Sequence, residues 1–142
     1  MKLIHFTVLF TLIAFSVIAQ DKVAVLPTYD IEKKVNDSYE QMIRERLATA
    51  ITNSQEYAVI DFTGIDAIID LKSYQDDGII TEKAKIELGN IPGCKYVLRT
   101  EVSTDTKHVI ITVKMLYTET LQMVPNRSST EYAEINAPSI YN

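Results

Sequence analysis

The sequence predicts an α/β fold, a mixed β-sheet with flanking helices in the order β-α-β-α-α-β-β, to which residues 127–135 can add a last edge strand. The run at 23–26 is apolar on both faces, as in a strand covered on both sides. A helical stretch separates it from a second apolar run at 57–62, which implies a right-handed parallel crossover. Segments 95–103 and 108–118 flank a polar loop and predict a hairpin.

Three helices are predicted between these strands, each starting from a polar residue that can cap it. The first begins at Asn36 or Asp37, because Asp37 followed by an acidic residue three positions on approximates a capping box, and it ends near residues 53–54. The second is capped by Thr63 and the third by Thr81. The first helix is predicted to turn Tyr39, Ile43, Leu47, Ala50 and Ile51 inward, with Arg44, Glu45 and Thr49 on the opposite face.

The amino terminus has the pattern of a secretory signal peptide. A Lys follows the initiator Met, residues 3–19 are mainly apolar, and Ala19 and Gln20 flank a cleavage site preceded by small residues. We therefore predict a cleaved signal at 1–19, a single α/β domain at 20–136 and a tail at 137–142. A retained membrane anchor is the alternative, but the apolar run is short for a span and no basic cluster follows it.

Export and charge together limit the partners. The formal charge is −5 for the whole chain and becomes −6 without residues 1–19, which contain one Lys and no acidic residue. A negative chain lacks the basic footprint that nucleic acid requires, and it is not attracted to anionic lipid. We expect a periplasmic or secreted protein with no membrane span after cleavage and no nucleic-acid partner.

No catalytic residue, metal ligand set or cofactor is predicted. His108 is the one histidine beyond the signal and Cys94 is the one cysteine, too few for a Cys/His metal site. The turn at 76–78 superficially resembles a calcium loop but lacks its ligand spacing. Asp66 and Asp70 are four residues apart and are expected to face water from one helix. No glycine-rich loop follows the first strand, as a dinucleotide site would need.

If a groove exists, it is expected at the carboxyl ends of the parallel strands, where α/β proteins commonly bind ligands. The residues predicted to line it are Thr28, Tyr29, Asp30, Asp61 and Phe62. The alternative is that these residues only cap strands and helices.

Several segments in serial order are similar to one known family. They are residues 23–27 (VAVLP), 46–51 (RLATAI), 56–61 (EYAVID), 64–69 (GIDAII), 88–89 (LG), 93–98 (GCKYVL) and 111–120 (ITVKMLYTET). Together they resemble the CsgG/LpoB superfamily of curli-secretion and penicillin-binding-protein-activator proteins, which is itself similar to the TolB amino-terminal domain. The resemblance covers about residues 23–124.

The resemblance implies a non-enzymatic cell-envelope accessory domain that binds an envelope protein or forms homo-oligomers. Two departures qualify it. No cysteine stands at the cleavage site to carry lipid, and no segment is spare for membrane-inserted hairpins, which argues against a pore. The first strand also starts close to the new terminus, which argues against a tethered activator. A small-ligand carrier or a small metal-dependent hydrolase of the envelope is the alternative.

Overall fold

The computed structural model describes residues 19–134 of the 142-residue chain. Within that range the strands are β1 (Lys22–Val25), β2 (Tyr29–Asp30), β3 (Ala58–Val59), β4 (Cys94–Thr104), β5 (His108–Tyr117) and β6 (Met123–Glu134). The helices are α1 (Asp37–Ser54), α2 (Phe62–Ile68), α3 (Leu71–Asp77) and α4 (Glu82–Gly89). Helices and strands are interleaved along the chain, which confirms the predicted α/β class.

The six strands form one mixed sheet in the order β3-β1-β4-β5-β6, with β2 also paired to β4. β1 is parallel to both β3 and β4. β4, β5 and β6 run antiparallel as a meander. The predicted parallel crossover, the hairpin and the last edge strand are therefore all present.

Helices cover both faces of the sheet around β1. Val23 and Val25 pack with Leu47 and Ile51 of α1. The intervening Ala24 and the following Leu26 pack with α2, α3 and α4 on the other face. Residues 23–26 are all fully buried. An apolar run without alternation thus marks a strand enclosed by two helical layers, as predicted.

Two helix starts lie where the sequence predicted them. The side chain of Asn36 accepts a hydrogen bond from the amide of Tyr39 at 2.9 Å, and α1 begins at the next residue. Thr81 accepts from the amide of Ala84 at 3.2 Å and begins α4. Each bond satisfies an amide that has no partner inside its own helix, which is why a local motif suffices to place the start.

The predicted second helix is wrong in its start and in its continuity. Asp61, not Thr63, occupies the cap position, and α2 begins at Phe62. The chain becomes extended at Ile69, and Asp70 then accepts from the amide of Ser73 at 3.2 Å to cap a separate helix, α3. An Asp side chain offers the backbone this alternative to a continuing helix. The expectation that Asp66 and Asp70 share one helix is therefore wrong.

The strands near Pro27 and at 57–62 also differ from prediction. The second strand is reduced to β3, because Asp61 and Phe62 already belong to the entry of α2. β2 was not predicted; its two residues pair with Glu101 and Val102 of β4 after Pro27 interrupts the chain. The last strand begins at Met123, four residues before the predicted 127.

The predicted signal peptide lies almost wholly outside the described residues, as does the predicted tail at 137–142. The two residues at the predicted cleavage site, Ala19 and Gln20, are described and exposed. Among residues 19–134, no helix combines the length and apolar character that a membrane crossing needs.

Candidate functional site

A cleft of about 350 Å³ lies at the carboxyl end of β1, between α1, α2 and α3. Thr28 and Phe62, two of the residues predicted to line a groove, are in its wall. Leu71 and Gln75 of α3 contribute the facing side. The parallel strands and their helices thus leave a concave surface at the predicted edge of the sheet.

A second cavity of about 210 Å³ adjoins the first and is lined by Asp30, Lys33 and Asp76. The two share Glu40 in the first turns of α1 and Gln75 of α3. They are therefore two parts of one surface, here called the α1/α3 cleft.

Arg44 forms a rigid part of the wall of the α1/α3 cleft. Its guanidinium donates from Nε and Nη2 to the carbonyl oxygen of Val25, at 3.0 and 2.8 Å. Nη1 lies 2.8 Å from Asp66 Oδ1. The guanidinium carbon also stands 4.1 Å from the centre of the Phe62 ring, a cation–π geometry.

The expectation that Arg44 faces solvent is wrong, since it is 7 % exposed. Helical periodicity placed it opposite the apolar stripe, but its aliphatic stem packs inward while its head reaches the end of β1. Asp66, which was expected to face water beside Asp70, is its ion partner. One feature of the sequence could have indicated that Arg44 is buried. It follows the inward-facing Ile43 directly and precedes Leu47, another inward-facing residue, by three positions.

Glu40 is the titratable group of the cleft with the largest perturbation. Partial burial, followed by the negative charges of Asp30 and Asp37, raises the pKa of its carboxyl to about 7. The Thr28 hydroxyl donates to the Glu40 backbone oxygen at 2.9 Å, which ties the segment between β1 and β2 to α1. The cleft thus holds a carboxyl that changes charge near neutral pH.

The other predicted groove residues have different surroundings. Asp30 is buried and accepts hydrogen bonds from the amides of Glu32 and Val35, so it organises the loop before α1. The Tyr29 ring packs at 6.1 Å from that of Tyr74 and is not in the wall of the cleft. Asp61 is exposed at the start of α2. The structure therefore brings Thr28 and Phe62 into one cavity and Asp30 into the adjoining one.

The residues considered from the sequence as possible metal ligands or catalytic groups have structural roles. Asp77 accepts from the amide of Ile79, closing the turn that had resembled a calcium loop. His108 lies 3.1 Å from Asp105 at the hairpin end. Cys94 is buried, and this burial raises the pKa of its thiol. Within residues 19–134, no three His, Cys, Asp or Glu side chains are grouped to hold a metal ion.

A larger open cavity of about 590 Å³ lies at the opposite end of the sheet, lined by Asp21, Cys94, Tyr117 and Gln122 among others. It adjoins the beginning of the described chain. None of the residues predicted to line a groove is in its wall, whereas Thr28 and Phe62 are in the wall of the α1/α3 cleft, which is therefore the candidate site.

A mixed sheet of this order, with α1 on one face and three short helices on the other, defines the class of protein: the chain has an LpoB-like fold. It is similar to the LpoB C-terminal domain from Escherichia coli, with a TM-score of 0.59 and 17% identity over 84% of this chain and 87% of that one. The LpoB C-terminal domain from Salmonella enterica gives a TM-score of 0.56 at the same identity and coverage.

A third similar structure is a PelC dodecamer from Paraburkholderia phytofirmans, with a TM-score of 0.53 and 15% identity over 81% of this chain and 72% of that one. No protein-family model and no curated protein sequence matches the chain. The resemblance to LpoB is therefore confirmed in the fold, while the likeness to CsgG stays a prediction.

Proposed function

We propose that the mature chain is a non-enzymatic accessory domain of the cell envelope, periplasmic or secreted, that binds another envelope protein. The observation that carries the proposal is the LpoB-like fold, which extends over 84% of the chain. LpoB-type proteins activate penicillin-binding proteins, and the sequence resemblance implied the same kind of accessory role. The secretory pattern of residues 1–19 supports the location.

The α1/α3 cleft is the surface that we propose for the partner. It combines apolar side chains, Phe62 and Leu71, with hydrogen-bonding groups on Gln41 and Gln75. Leu71 is 39 % exposed although it is a large apolar residue. A protein segment lying across the cleft would bury that apolar surface and bond to the polar rim, which is the usual composition of a protein interface.

A protein segment suits the cleft better than a small ligand does. Sites for small molecules usually enclose most of the ligand surface. Here the wall includes the exposed side chains of Gln41, Leu71 and Gln75, so the cleft is open along one side. Arg44 is already bonded to Val25 and Asp66, so it shapes the wall more than it offers free donors.

The proposal is tested by placing a photo-crosslinking amino acid at Gln41 in the cleft and, as a control, at Lys83 on α4. We expect irradiation of intact cells to join Gln41 variants, and not Lys83 variants, to one defined envelope protein. Leu71→Asp should abolish the adduct, whereas Ile86→Asp, the same change at an exposed apolar residue of α4, should leave it. Equal labelling from both positions, or none from either, would count against the cleft as a binding surface.

A further inference from the structure

The outer edge of β6 is the longest unpaired backbone edge in the described part of the chain. β6 lies at the end of the sheet and pairs with β5 on one side only. Residues 19–134 place nothing against its other side. Proteins usually protect such an edge with proline, charge or a bulge, because its free amides and carbonyls can pair with another strand.

The proline and the irregular pairing that protect this edge lie in the first half of β6, and the second half has only the charges of Glu131 and Glu134. Pro125 and Asn126 lie in the first half, the latter with a φ of 59°. The register of the pairing with β5 shifts at this point: Ser128 lies opposite Lys114, and the next paired residue, Met123, lies opposite Leu116. Beyond Ser128 the ladder is regular to the end of the strand, and residues 128–134 contain neither proline nor lysine.

We propose that two copies of this chain pair antiparallel through the outer edges of β6, with Ser129 of each copy at the two-fold axis. Charge complementarity selects this register. Ser129 and Glu131 face the α1 side of the sheet, where both line a cavity with Ile43. Arg127 reaches the same side, with Nη2 at 3.9 Å from Glu56 just beyond α1.

An axis perpendicular to the sheet through Ser129 sets Arg127 of each copy opposite Glu131 of the other, giving two opposite-charge pairs. Moving the axis to Glu131 would set two glutamates opposite each other, which is unfavourable. Moving it to Thr130 would set each Glu131 opposite a serine and each Arg127 opposite Ala133, so neither charge would have an opposite charge directly across the strands. Because an isologous interface repeats every contact, the preferred register gains each favourable pair twice.

An apolar groove beside the edge supports the same arrangement. It measures about 270 Å³ and is lined by Ile43, Leu47, Ile111 and Val113, where α1 stops short of β6. A second sheet added at β6 would lie along the open side of this groove. Main-chain hydrogen bonds between the two β6 strands and partial burial of this apolar surface would then both stabilise the dimer.

Disulfide trapping tests the register. Directly opposed residues in antiparallel strands have Cα atoms about 4.5–5.5 Å apart, within the range that a disulfide spans. Ser129→Cys should therefore form a covalent dimer under mild oxidation at least about tenfold faster than Thr130→Cys, whose copies would be offset along the strands. The buried Cys94 is common to both variants. Equal rates, or a faster Thr130→Cys, would overturn the register.

Charge reversal tests the pairing without a crosslink. In sedimentation equilibrium of the purified mature chain, Arg127→Glu and Glu131→Arg should each weaken dimerisation about tenfold, and the double variant should restore it. Lys83→Glu on α4 is the control and should change nothing. A monomer at every concentration, or a double variant as weak as the singles, would overturn the proposal.

The pairing of two copies is independent of the partner proposed for the α1/α3 cleft. It uses the outer edge of β6, whereas the cleft lies at the carboxyl end of β1. Leu71→Asp should leave the dimer intact, and Arg127→Glu should leave the crosslink from Gln41 intact. Failure of one proposal is thus distinguishable from failure of the other.

Discussion

The guanidinium group of Arg44 donates two hydrogen bonds to the carbonyl oxygen of Val25, the last residue of β1. The carbonyl of Val23 accepts from the amide of Ile60, but the neighbouring chain then turns into α2, so no amide of that strand is available to the carbonyl of Val25. The arginine thus supplies the bonds that a buried carbonyl at a strand end requires. The same side chain joins α1, α2 and β1, because it also binds Asp66 and stacks on Phe62.

Arg44→Ala should lower the free energy of unfolding by about 2–4 kcal/mol, because it leaves the Val25 carbonyl unsatisfied and Asp66 unpaired. Arg46→Ala, on the exposed side of the same helix, should change it by less than about 0.5 kcal/mol. Urea denaturation followed by circular dichroism measures both. Similar losses for the two variants would show that the Arg44 bonds contribute little.

The stability of the protein should depend on pH through Glu40. Its pKa in the folded protein is about 7, above the ordinary 4.5, so the folded state holds the proton more tightly than the unfolded state does. Stability therefore falls as pH rises through the interval between those two values, and the loss persists at higher pH. Since the carboxyl is partly exposed to solvent and therefore screened, the loss should be only about 1 kcal/mol.

Glu40→Gln removes this ionisation and should stabilise the protein by about 1 kcal/mol near pH 8, with little effect at about pH 4. Glu45→Gln, at an exposed position of α1, is the control and should show the same small difference at both pH values. Denaturation midpoints at the two pH values measure the effect. A benefit from Glu40→Gln that is equal at both would contradict the raised pKa.

Two glycines should respond in opposite directions to substitution by alanine. Gly78 has a φ of 68°, and a Cβ there would lie 2.6 Å from Cε1 of Tyr29, so Gly78→Ala should destabilise the fold by about 1–3 kcal/mol. Gly64 lies inside α2 with nothing within 4 Å of its Cβ position, so Gly64→Ala should stabilise by about 0.5–1 kcal/mol. Thermal unfolding of the pair distinguishes them; a shift of the same sign in both would contradict the local geometry.

Export should remove residues 1–19 and leave Gln20 as the first residue. Mass spectrometry of the protein recovered from outside the cytoplasm measures this. Ala19→Arg should block cleavage, because signal peptidase requires a small residue at that position, whereas Lys22→Arg should be processed normally. Full-length protein held in the membrane fraction of the unmodified strain would support the retained anchor instead.

Local chemistry explains which elements could be predicted from sequence. The unbroken apolar run at 23–26 predicted a strand that is buried on both faces, without indicating which elements pack against it. Asn36 and Thr81 bond to amides three residues ahead, so those helix starts depend on nothing distant. The β4–β5 hairpin joins two segments separated by a short polar loop. It could be predicted because the paired strands are close together in the sequence.

The candidate site was predicted in position but not in composition. The carboxyl end of β1 was the expected place, and Thr28 and Phe62 are there. Glu40 and Arg44 were missed, because their surroundings are set by Asp30, Val25 and Asp66, residues that helical periodicity does not relate to them. Tyr29 was predicted to line the groove, yet its ring packs against Tyr74 and is not in the cleft wall.

By itself the sequence determined the α/β class, the caps of α1 and α4 and the edge of the sheet where a cleft forms, because each follows from residues close together in the chain. Only the tertiary structure decided that β2 pairs with Glu101 and Val102, and that Arg44 turns inward to Val25. Those contacts join residues far apart in sequence. A buried carbonyl or strand edge takes whichever partner the packing brings within hydrogen-bonding distance, and local pattern does not encode that choice.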